Sequence, residues 1–341
     1  MSGALRIGLV GYGFGGRHFH APLLASAPGC DLLGVVTTSP QRQALVREHL
    51  GRPSFASLRE LADAGAEAVA ISTPVDTHVP LTQEALRLGL AVVCDKPFSP
   101  DAASARETVE LARSSGLVLA AYQNRRWDSD FLTVRRLVDE GRLGDVRRVE
   151  SRFERFRPDG GPGAAGGGAL LDLGSHLVDQ ALLLLGPATA VYAERHVGGD
   201  GLDDDVFVAL THAGGAHAHL WASWRQGAPG PRFRVAGTAG AYVVGGLDGQ
   251  EAALVAGESP ATLGDRWGVE PESAWGRLHR GDAGEVVPPE RGAWDGFYPA
   301  FAAAVRGEGP VPVDPADTVA VARVLDAARA SAASGQVVDL T

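Results

Sequence analysis

The first 122 residues alternate short apolar runs with stretches of helical spacing, and this alternation restricts the fold more than any other feature of the chain. Repeated βαβ units of this kind form a parallel sheet with helices on both faces. The predicted strands are Leu5–Val10, Leu32–Thr37, Ala68–Ser72, Ala91–Asp95 and Val118–Tyr122. The predicted helices between them are Gln41–His49, Val79–Leu88 and Ala102–Ser114.

After Tyr122 the alternation gives way to a mixture of helices and paired strands. We therefore predict two domains, residues 1–121 and residues 122–341. The elements predicted at the start of the second domain are a helix at Phe131–Glu140, a strand at Val146–Arg155, a mobile glycine-rich loop at residues 158–168 and a helix at Asp172–Leu185.

The remainder of the chain contains one clear hairpin. The stretch DVFVALTHAGGAHAHLWASW alternates in the manner of two strands and predicts a turn at Gly214-Gly215. Residues 257–292 are rich in Gly, Pro and Trp and predict irregular structure. A final helix is expected from Pro315, with Asp314 as its N-cap.

Composition and charge restrict the class of protein. The formal net charge of −10 argues against a nucleic acid or an acidic membrane as a partner. Cys30 and Cys94 lie in or beside apolar runs and predict reduced core residues, as in a cytoplasm. The first strand begins at Leu5, which leaves no room for a signal peptide, and the apolar run Ala181–Leu185 is too short to span a bilayer. Clustered Cys/His metal spacing is absent.

The stretch Gly11-Tyr12-Gly13-Phe14-Gly15-Gly16 follows the first strand and precedes a helix. In that position a G-x-G-x-x-G turn predicts a dinucleotide site, because its glycines let the backbone approach a pyrophosphate at the helix N-terminus. The alternatives are a turn that only connects and a site for S-adenosylmethionine. The predicted cofactor contacts are Gly11, Gly13, Phe14, Gly15 and Gly16.

The end of the second strand indicates which dinucleotide binds. NAD sites usually place Asp or Glu there to hold the ribose hydroxyls. This chain instead reads Val36-Thr37-Thr38-Ser39-Pro40-Gln41-Arg42, without an acid. Hydroxyls and an arginine suit a 2′-phosphate, so we predict NADP, with NAD as the alternative. The predicted contacts are Thr37, Thr38, Ser39 and Arg42, although Arg42 has the alternative of an exposed first-turn position.

Lys96 is the only lysine among 31 lysine and arginine residues. It follows the apolar run that ends at Cys94, and Pro97 comes directly after it. An arginine stays charged, whereas a lysine can lose its proton and act as an acid or base. The sequence therefore favours a functional lysine over a chance survivor of an arginine-rich composition.

Asp172 and His176 are four residues apart and share a helix face. Their neighbours are leucine, valine and glycine, and polar groups in such surroundings are unfavourable unless they are paired or functional. We predict a catalytic group. The alternatives are a helix cap at Asp172 with a core histidine at His176, and a zinc site that lacks an obvious third ligand.

The glycine turn, ISTPVDTH, CDKP, YQNRRWDSDF and GGGALLDLGSHLVDQ together resemble the Gfo/Idh/MocA oxidoreductase family over nearly the whole chain. That family typically has E-K-P where this chain has Asp95-Lys96-Pro97. The second half is similar to a subgroup that contains NADP-dependent scyllo-inositol dehydrogenases. The resemblance implies an α/β protein, with an N-terminal Rossmann domain on a parallel sheet and then an α/β domain on a large, open, mostly antiparallel sheet that binds substrate and forms oligomers.

The same resemblance implies hydride transfer between a nicotinamide and a sugar or polyol carbon, and it implies roles for individual residues. The implied catalytic group is Lys96, Asp172 and His176. The implied cofactor contacts are Ser72, Thr73, Pro74, His78, Asp95 and Lys96. The implied substrate contacts are Asn124, Arg126 and Trp127, with an exposed surface position as the alternative for Arg126 and Trp127.

The strand Ala216–Trp224 has two bulky faces. His217, His219 and Trp221 lie on one face, while Ala218, Leu220, Ala222 and Trp224 lie on the other. We predict that one face packs on the helices of its own domain and the other on a second subunit, in a homodimer or homotetramer. A histidine metal site on this strand is the weaker alternative. Two rival functions remain, an NAD-dependent glycosidase of the same family and a non-catalytic nucleotide-sensing regulator.

Overall fold

The computed structural model describes residues 3–157 and 167–341. The first compact unit comprises Met1–Asn124, Gln250–Trp267 and Ala293–Val319, and the second comprises Arg125–Gly249, Gly268–Gly292 and Ala320–Thr341. Each unit thus draws on several segments, and the domain boundary between residues 121 and 122 stays a prediction. Of the loop predicted at residues 158–168, residues 158–166 lie outside the described residues.

The first unit is built on a six-stranded parallel sheet with the order β3-β2-β1-β4-β5-β6. The strands are β1 (Leu5–Val10), β2 (Cys30–Val36), β3 (Ser54–Phe55), β4 (Ala68–Ile71), β5 (Ala91–Cys94) and β6 (Leu119–Ala121). This is the doubly wound order of dinucleotide-binding folds. The predicted parallel Rossmann sheet is confirmed, with the two-residue strand β3 as an addition.

The strands are apolar because helices cover both faces of the sheet. All four residues of β4 and all four of β5 are buried. The helices of this unit are α1 (Ala21–Ser26), α2 (Pro40–Leu50), α3 (Leu58–Asp63), α4 (His78–Arg87), α5 (Ala102–Ser115), with α8 (Gln250–Val255), α9 (Pro260–Leu263) and α10 (Phe297–Val305) from later segments. A wide helical turn at Gly16–His20 leads into α1.

Three central strands of this sheet end level with one another. Val10 at the end of β1 pairs with Ile71 at the end of β4, and Ile71 pairs with Cys94 at the end of β5. The residues that follow these three strands therefore emerge at the same edge of the sheet.

The second unit contains a nine-stranded sheet with the order β14-β13-β12-β11-β7-β10-β9-β8-β15. Only the central pair β7–β10 is parallel among the strand pairs described, so the sheet is mostly antiparallel as predicted. The strands are β7 (Val146–Glu154), β8 (Ala188–Val197), β9 (Asp203–His212), β10 (His217–Ser223), β11 (Phe233–Gly237), β12 (Ala241–Val244), β13 (Gly276–Arg280), β14 (Ala283–Val287) and β15 (Val338–Asp339).

The helices α6 (Ser129–Asp139) and α7 (Ser175–Leu185) belong to the second unit, and α11 (Pro315–Ser334) begins in the first unit and ends in the second. The Asp314 carboxylate accepts from the backbone N–H of Ala316 at 2.8 Å, which fits its predicted place at the start of α11. Within the described ranges, no helix combines the length and the apolar character needed to cross a membrane.

The prediction of irregular structure for residues 257–292 is partly wrong. The segment contains the helix α9 and the antiparallel pair β13–β14. Four of the five residues of β14 are exposed. β14 therefore lacks the alternating apolar pattern by which a strand is recognised in sequence.

One face of β10 packs as predicted. Ala218, Leu220 and Ala222 are buried in a core that also includes residues of α7 and α11. On the other face, His217 is exposed and Trp221 is half-buried beneath the Arg152 guanidinium, which lies 3.9 Å from a ring centroid. Contact of this outer face with a second subunit stays a prediction.

Two glycines of the turn after β1 differ in the space that surrounds them. A Cβ atom at Gly16 would lie 2.3 Å from the carbonyl oxygen of Gly11, so the protein itself excludes a side chain there. A Cβ atom at Gly13 would meet nothing within 4 Å, and Gly13 does not have a positive φ. No contact within the described residues therefore requires a glycine at position 13, and the close approach of a ligand there stays a prediction.

We predict that Gly16→Ala lowers the free energy of unfolding by about 1–3 kcal/mol, the usual range for overpacking. Gly13→Ala serves as the matched variant and should change it by less than about 0.5 kcal/mol. Gly13→Ala should instead weaken NADP binding by about tenfold or more, equivalent to ~1.4 kcal/mol. Urea unfolding and a fluorescence titration with NADPH measure the two quantities. Unchanged NADPH affinity in Gly13→Ala would remove the argument for a ligand at this turn.

Candidate active site

Three loops of the first unit lie side by side at the carboxyl ends of β1, β4 and β5. They are residues 11–16, residues 72–74 and residues 95–97. The Ser72 N–H donates to the Val10 carbonyl at 2.9 Å, and the Asp95 N–H donates to the Ile71 carbonyl at 2.8 Å. In this strand order the winding reverses between β1 and β4, and α/β sheets bind ligands in the crevice at that point. The fold thus brings the predicted cofactor loops together.

The Asp95 carboxylate is the polar centre of this edge. Its Oδ2 accepts from Ser72 Oγ at 3.0 Å, and its Oδ1 accepts from the backbone N–H of Lys96 at 2.8 Å. His20 Nε2 lies 3.2 Å from Oδ2, close enough for an ion pair although not aligned as a hydrogen bond. Burial alone would raise the pKa of this carboxyl, but the His20 imidazole, Lys96 and His78 hold it well below its usual range.

Asp95 therefore stays ionised at neutral pH and has three partners within the protein. A carboxylate offers about four acceptor positions. A further hydrogen bond from a ribose hydroxyl is compatible with this geometry, and it stays a prediction. Lys96 is half-buried beside Asp95 at the carboxyl end of β5.

His20 belongs to this cluster, and the sequence analysis missed it. It is fully buried, and its Nδ1 lies 2.5 Å from the Tyr298 hydroxyl oxygen. Burial raises the pKa of Tyr298 well above its usual range, so the phenol keeps its proton. His20 thus has the Tyr298 hydroxyl on its Nδ1 side and the Asp95 carboxylate on its Nε2 side. The partners are 278 residues apart, so the only local signal was a histidine shortly after the glycine turn.

His78 is the first residue of α4 and is buried. Its Nδ1 lies 2.7 Å from the Pro97 carbonyl oxygen, and its Nε2 lies 2.8 Å from the Thr73 carbonyl oxygen. Both ring nitrogens are thus engaged by the backbone of the two neighbouring loops. A direct contact between His78 and a cofactor stays a prediction.

The end of β2 carries hydroxyl groups and has no carboxylate in residues 37–42. Thr37 is buried, while Thr38 and Arg42 are exposed. Ser39 is the N-cap of α2, and its hydroxyl accepts from the Arg42 backbone N–H at 3.5 Å. The positive end of the α2 dipole and the Arg42 guanidinium make this position suitable for a phosphate group.

In the second unit, Asp172 and His176 lie on one continuous helical segment. A wide turn at Leu170–Gly174 passes directly into α7. Asp172 is half-buried, and His176 is buried with its ring centroid 6.0 Å from that of Phe153. The first N–H of the segment, at Leu170, donates to Asp203 Oδ1 at 2.8 Å. Since Asp203 accepts from this amide and Asp172 lies inside the segment, the interpretation of Asp172 as a helix cap is wrong.

Arg126 forms a buried bidentate ion pair with Asp179. Its Nε donates to Oδ2 at 2.8 Å and its Nη2 donates to Oδ1 at 2.6 Å. Asp179 is on α7, three residues after His176, so the pair fastens Arg126 to the helix that carries His176. The surface alternative for Arg126 is wrong, because only 8% of the side chain is exposed. The contact of Arg126 with substrate stays a prediction. The ion pair with Asp179 by itself accounts for a buried arginine at this position.

Arg125 and Asp128, which flank Arg126 in the sequence, also form buried hydrogen bonds. Gln180 Nε2 donates to the Arg125 carbonyl at 2.7 Å, and Arg125 Nη1 donates to Asp128 Oδ2 at 3.0 Å in a buried pair. Asn124 is buried at the end of the first unit's opening segment, and Trp127 is half-buried in the second unit. The contacts of Asn124 and Trp127 with substrate stay predictions.

Metal-ligating geometry is not found in the part of the chain that the structure describes. Within residues 3–157 and 167–341, no group of three or more His, Cys, Asp and Glu side chains is arranged to hold a metal ion. The zinc alternative for Asp172 and His176 and the histidine alternative for β10 therefore have no complete ligand set among those residues.

The sequence matches two family descriptions along its length. Residues 5–123 match the oxidoreductase family with an NAD-binding Rossmann fold, and residues 131–243 match the GFO/IDH/MocA C-terminal domain. The chain is 37% identical over 335 residues to the uncharacterized oxidoreductase YdgJ of Escherichia coli (strain K12), with 93% of each chain covered. It is 31% identical over 339 residues to scyllo-inositol 2-dehydrogenase (NADP(+)) IolW of Bacillus subtilis (strain 168), with 96% of this chain and 93% of that protein covered.

A solved structure shows the same fold. An oxidoreductase from Bacillus cereus is 27% identical and superposes with a TM-score of 0.88 over 99% of both chains. The parallel sheet with its glycine turn, the second mostly antiparallel sheet and the two sequence matches lead to one assignment. The chain belongs to the Gfo/Idh/MocA family of oxidoreductases.

Proposed function

We propose that the protein is an NADP-dependent dehydrogenase that acts on a secondary alcohol of a sugar, an inositol or a related polyol. The observation that carries the proposal is the position of Lys96, the only lysine of the chain, after β5 at the same carboxyl edge of the sheet as the glycine turn. The relative IolW, named as an NADP(+)-dependent scyllo-inositol 2-dehydrogenase, supports both the cofactor and the substrate class.

The residues of the glycine turn fit a dinucleotide. The backbone at Gly13 has open space where a Cβ would stand, and the turn leads into a helix whose N-terminus favours a pyrophosphate. The proposed cofactor contacts are those of the turn, of the loops after β4 and β5, and of the end of β2. Asn124, Arg126 and Trp127 are the proposed substrate contacts.

When bound, the nicotinamide supplies the carbon that accepts or returns the hydride. The chain must supply a base, because an alcohol that loses a hydride must also lose its hydroxyl proton. We assign that role to His176. Lys96 donates a hydrogen bond to the same oxygen and relays the proton, and Asp172 orients its neighbours and balances the positive charge that develops.

Two other functions differ from this one in a measurable way. An NAD-dependent glycosidase regenerates its cofactor in each cycle, so it gives no net NADPH. A non-catalytic regulator binds nucleotide without turnover, and the joint presence of Lys96, Asp172 and His176 argues against it. Net formation of NADPH with a panel of inositols and pyranoses distinguishes the dehydrogenase from both of these functions. The two cysteines are not in a disulfide, which fits the cytoplasm we propose as the location.

We predict that the protein binds NADP more tightly than NAD and that Arg42→Ala narrows this difference by about tenfold or more. A hydrogen bond to a charged group contributes about 1.5–3 kcal/mol, which sets that scale. Arg47→Ala is the matched control, because Arg47 is also exposed and lies in the last turn of α2. Fluorescence titrations with both reduced dinucleotides give the ratio. A preference for NAD in the wild-type protein would contradict the prediction.

We predict that Lys96→Arg lowers turnover by about 10²-fold or more, the usual scale for a positioned acid or base. The arginine keeps the positive charge, so NADP affinity should change little. It cannot lose its proton, so turnover should fall. His176→Ala should behave alike, and the double variant should be far less than additive because the two residues serve one proton path. Steady-state rates and NADPH titrations provide the numbers. Near-normal turnover in Lys96→Arg would place the proton chemistry elsewhere.

We also propose a homodimer or homotetramer joined through the outer face of the nine-stranded sheet. Phe207 and Trp221 lie on that face with ring centroids 5.1 Å apart, and His219 lies 5.9 Å from Phe207. Light scattering should give two or four times the chain mass of 35.4 kDa, and Trp221→Glu should shift it toward the monomer. Specific interfaces of this kind bury more than ~1,000 Å², so a wild-type monomer at micromolar concentration would contradict the proposal.

A further inference from the structure

Each ring nitrogen of the buried His78 faces the carbonyl oxygen of a different loop. Nδ1 faces the Pro97 carbonyl oxygen at 2.7 Å, and Nε2 faces the Thr73 carbonyl oxygen at 2.8 Å. The residue is 2% exposed, so water does not replace either partner. A carbonyl oxygen only accepts hydrogen bonds, and a neutral imidazole has one N–H and one bare lone pair. A neutral ring would therefore direct a lone pair at one of the carbonyl oxygens.

The surroundings of His78 favour the form with both nitrogens protonated. Burial by itself lowers the pKa of a histidine. Charge interaction and hydrogen bonding with the Cys94 side chain, the Asp95 carboxylate and the hydrogen bond to the Pro97 carbonyl act in the opposite direction, and the pKa of His78 is raised to about 9. Asp95 in turn contacts His20 and Lys96, which are the other titratable groups around this loop.

His212 is a comparison within the same chain. It is also buried, and its Nδ1 lies 2.7 Å from one carbonyl oxygen, that of Gly186. Its Nε2 has no hydrogen-bond partner among the described residues, and burial lowers its pKa. Two equally buried histidines thus differ in the number of carbonyl groups they face.

The two carbonyl groups that His78 holds belong to different loops. Pro97 directly follows Lys96, whereas Thr73 lies in the loop after β4 that we assign to the cofactor. We propose that His78 is a positioning residue that stays an imidazolium and sets the two loops separately, with its Nδ1–H fixing the position of Lys96 and its Nε2–H fixing the cofactor loop. This inference rests on the proposed dehydrogenase function.

Two amide variants separate the two hydrogen bonds. The Asn side chain carries its N–H donors at the δ position, like Nδ1, and the Gln side chain carries them at the ε position, like Nε2. His78→Asn should keep the bond to Pro97 and lose the bond to Thr73, so kcat stays within about threefold while the KM for NADP rises by roughly tenfold. His78→Gln should do the opposite, with kcat reduced by roughly tenfold and the KM for NADP nearly unchanged.

A purely structural role predicts a different result. Both variants would then lose stability and keep the kcat and KM of wild type per folded molecule, which would overturn the proposal. His212→Asn is the matched control, because it changes a buried histidine at the end of β9 in the second unit and should leave kcat and both KM values unchanged.

Histidine ¹⁵N NMR of the wild-type protein tests the protonation without any variant and without turnover. At pH 8 the proposal expects a ring with protons on both nitrogens, and its signals should be absent in His78→Asn and present in His212→Asn. If either variant fails to fold, the wild-type spectrum still decides, since only singly protonated rings at pH 8 would overturn the proposal. The affinity of His78→Asn for NADPH can be measured by titration even if no substrate is turned over. Failure of the dehydrogenase function and failure of this inference therefore remain distinguishable.

The pH dependence of stability provides a further check on the same charge. The folded-state pKa of about 9 lies above the ordinary value of 6.5, so the stabilisation from His78 is complete below about pH 6.5 and is lost as the pH rises through 9. The difference in urea midpoint between wild type and His78→Asn should therefore shrink between pH 6.5 and pH 9.5. A difference that does not change over this range would contradict the imidazolium.

Discussion

The register of β1, β4 and β5, which places their carboxyl ends in one row, is the constraint on which the chemistry of the first unit depends. Because Val10, Ile71 and Cys94 are paired in one row, the glycine turn, the Ser72 loop and the Asp95 loop begin side by side at one edge of the sheet. Had the register of one strand slipped by a single residue, its side chains would have changed faces. Asp95 would then not have met the Ser72 hydroxyl.

Both units hold their candidate catalytic residues through buried charge. In the first unit, Asp95 accepts hydrogen bonds from the Ser72 hydroxyl of the loop after β4 and from the Lys96 N–H of its own loop. In the second unit, the Arg126–Asp179 pair is bidentate and almost fully buried. Such pairs contribute little net stability, but loss of one partner leaves an uncompensated charge, which costs about 3–5 kcal/mol. They therefore fix geometry more than they stabilise the fold. A bidentate site requires the planar guanidinium of arginine, which a lysine cannot replace.

The sequence predicted the elements with strong periodicity and missed those held by distant contacts. The first parallel sheet, the hairpin of β9 and β10 and the helix from Pro315 all carry local signals and are confirmed. The strands β13 and β14 have five residues each and β14 is mostly exposed, while β3 has two residues, so their apolar pattern is too weak to read. The prediction of a two-faced β10 was correct for its inner face because burial follows the alternation of side chains.

The candidate site shows the same division. The glycine turn, Lys96 and the Asp172–His176 spacing are local patterns that a reader of the sequence can recognise. The participation of His20, the ion pair of Arg126 and the two carbonyl partners of His78 depend on which residues the fold brings together. Residue type indicated a polar role for Arg126 and His78 but not for His20, and the structure supplies the partners of all three.

The separation between His20 and Tyr298 has a consequence for the order in which the protein matures on the ribosome. The chain is made from its N-terminus at about 5–20 residues per second, so the 278 residues between the two partners take roughly 15 to 55 s. The six strands of the first sheet emerge well before the segment Ala293–Val319 that completes their unit. During that interval the Tyr298 hydroxyl that contacts His20 has not yet been made. The charged centre around Asp95 is therefore among the last parts of the first unit to reach its final form, although its carboxylate lies in the first third of the chain.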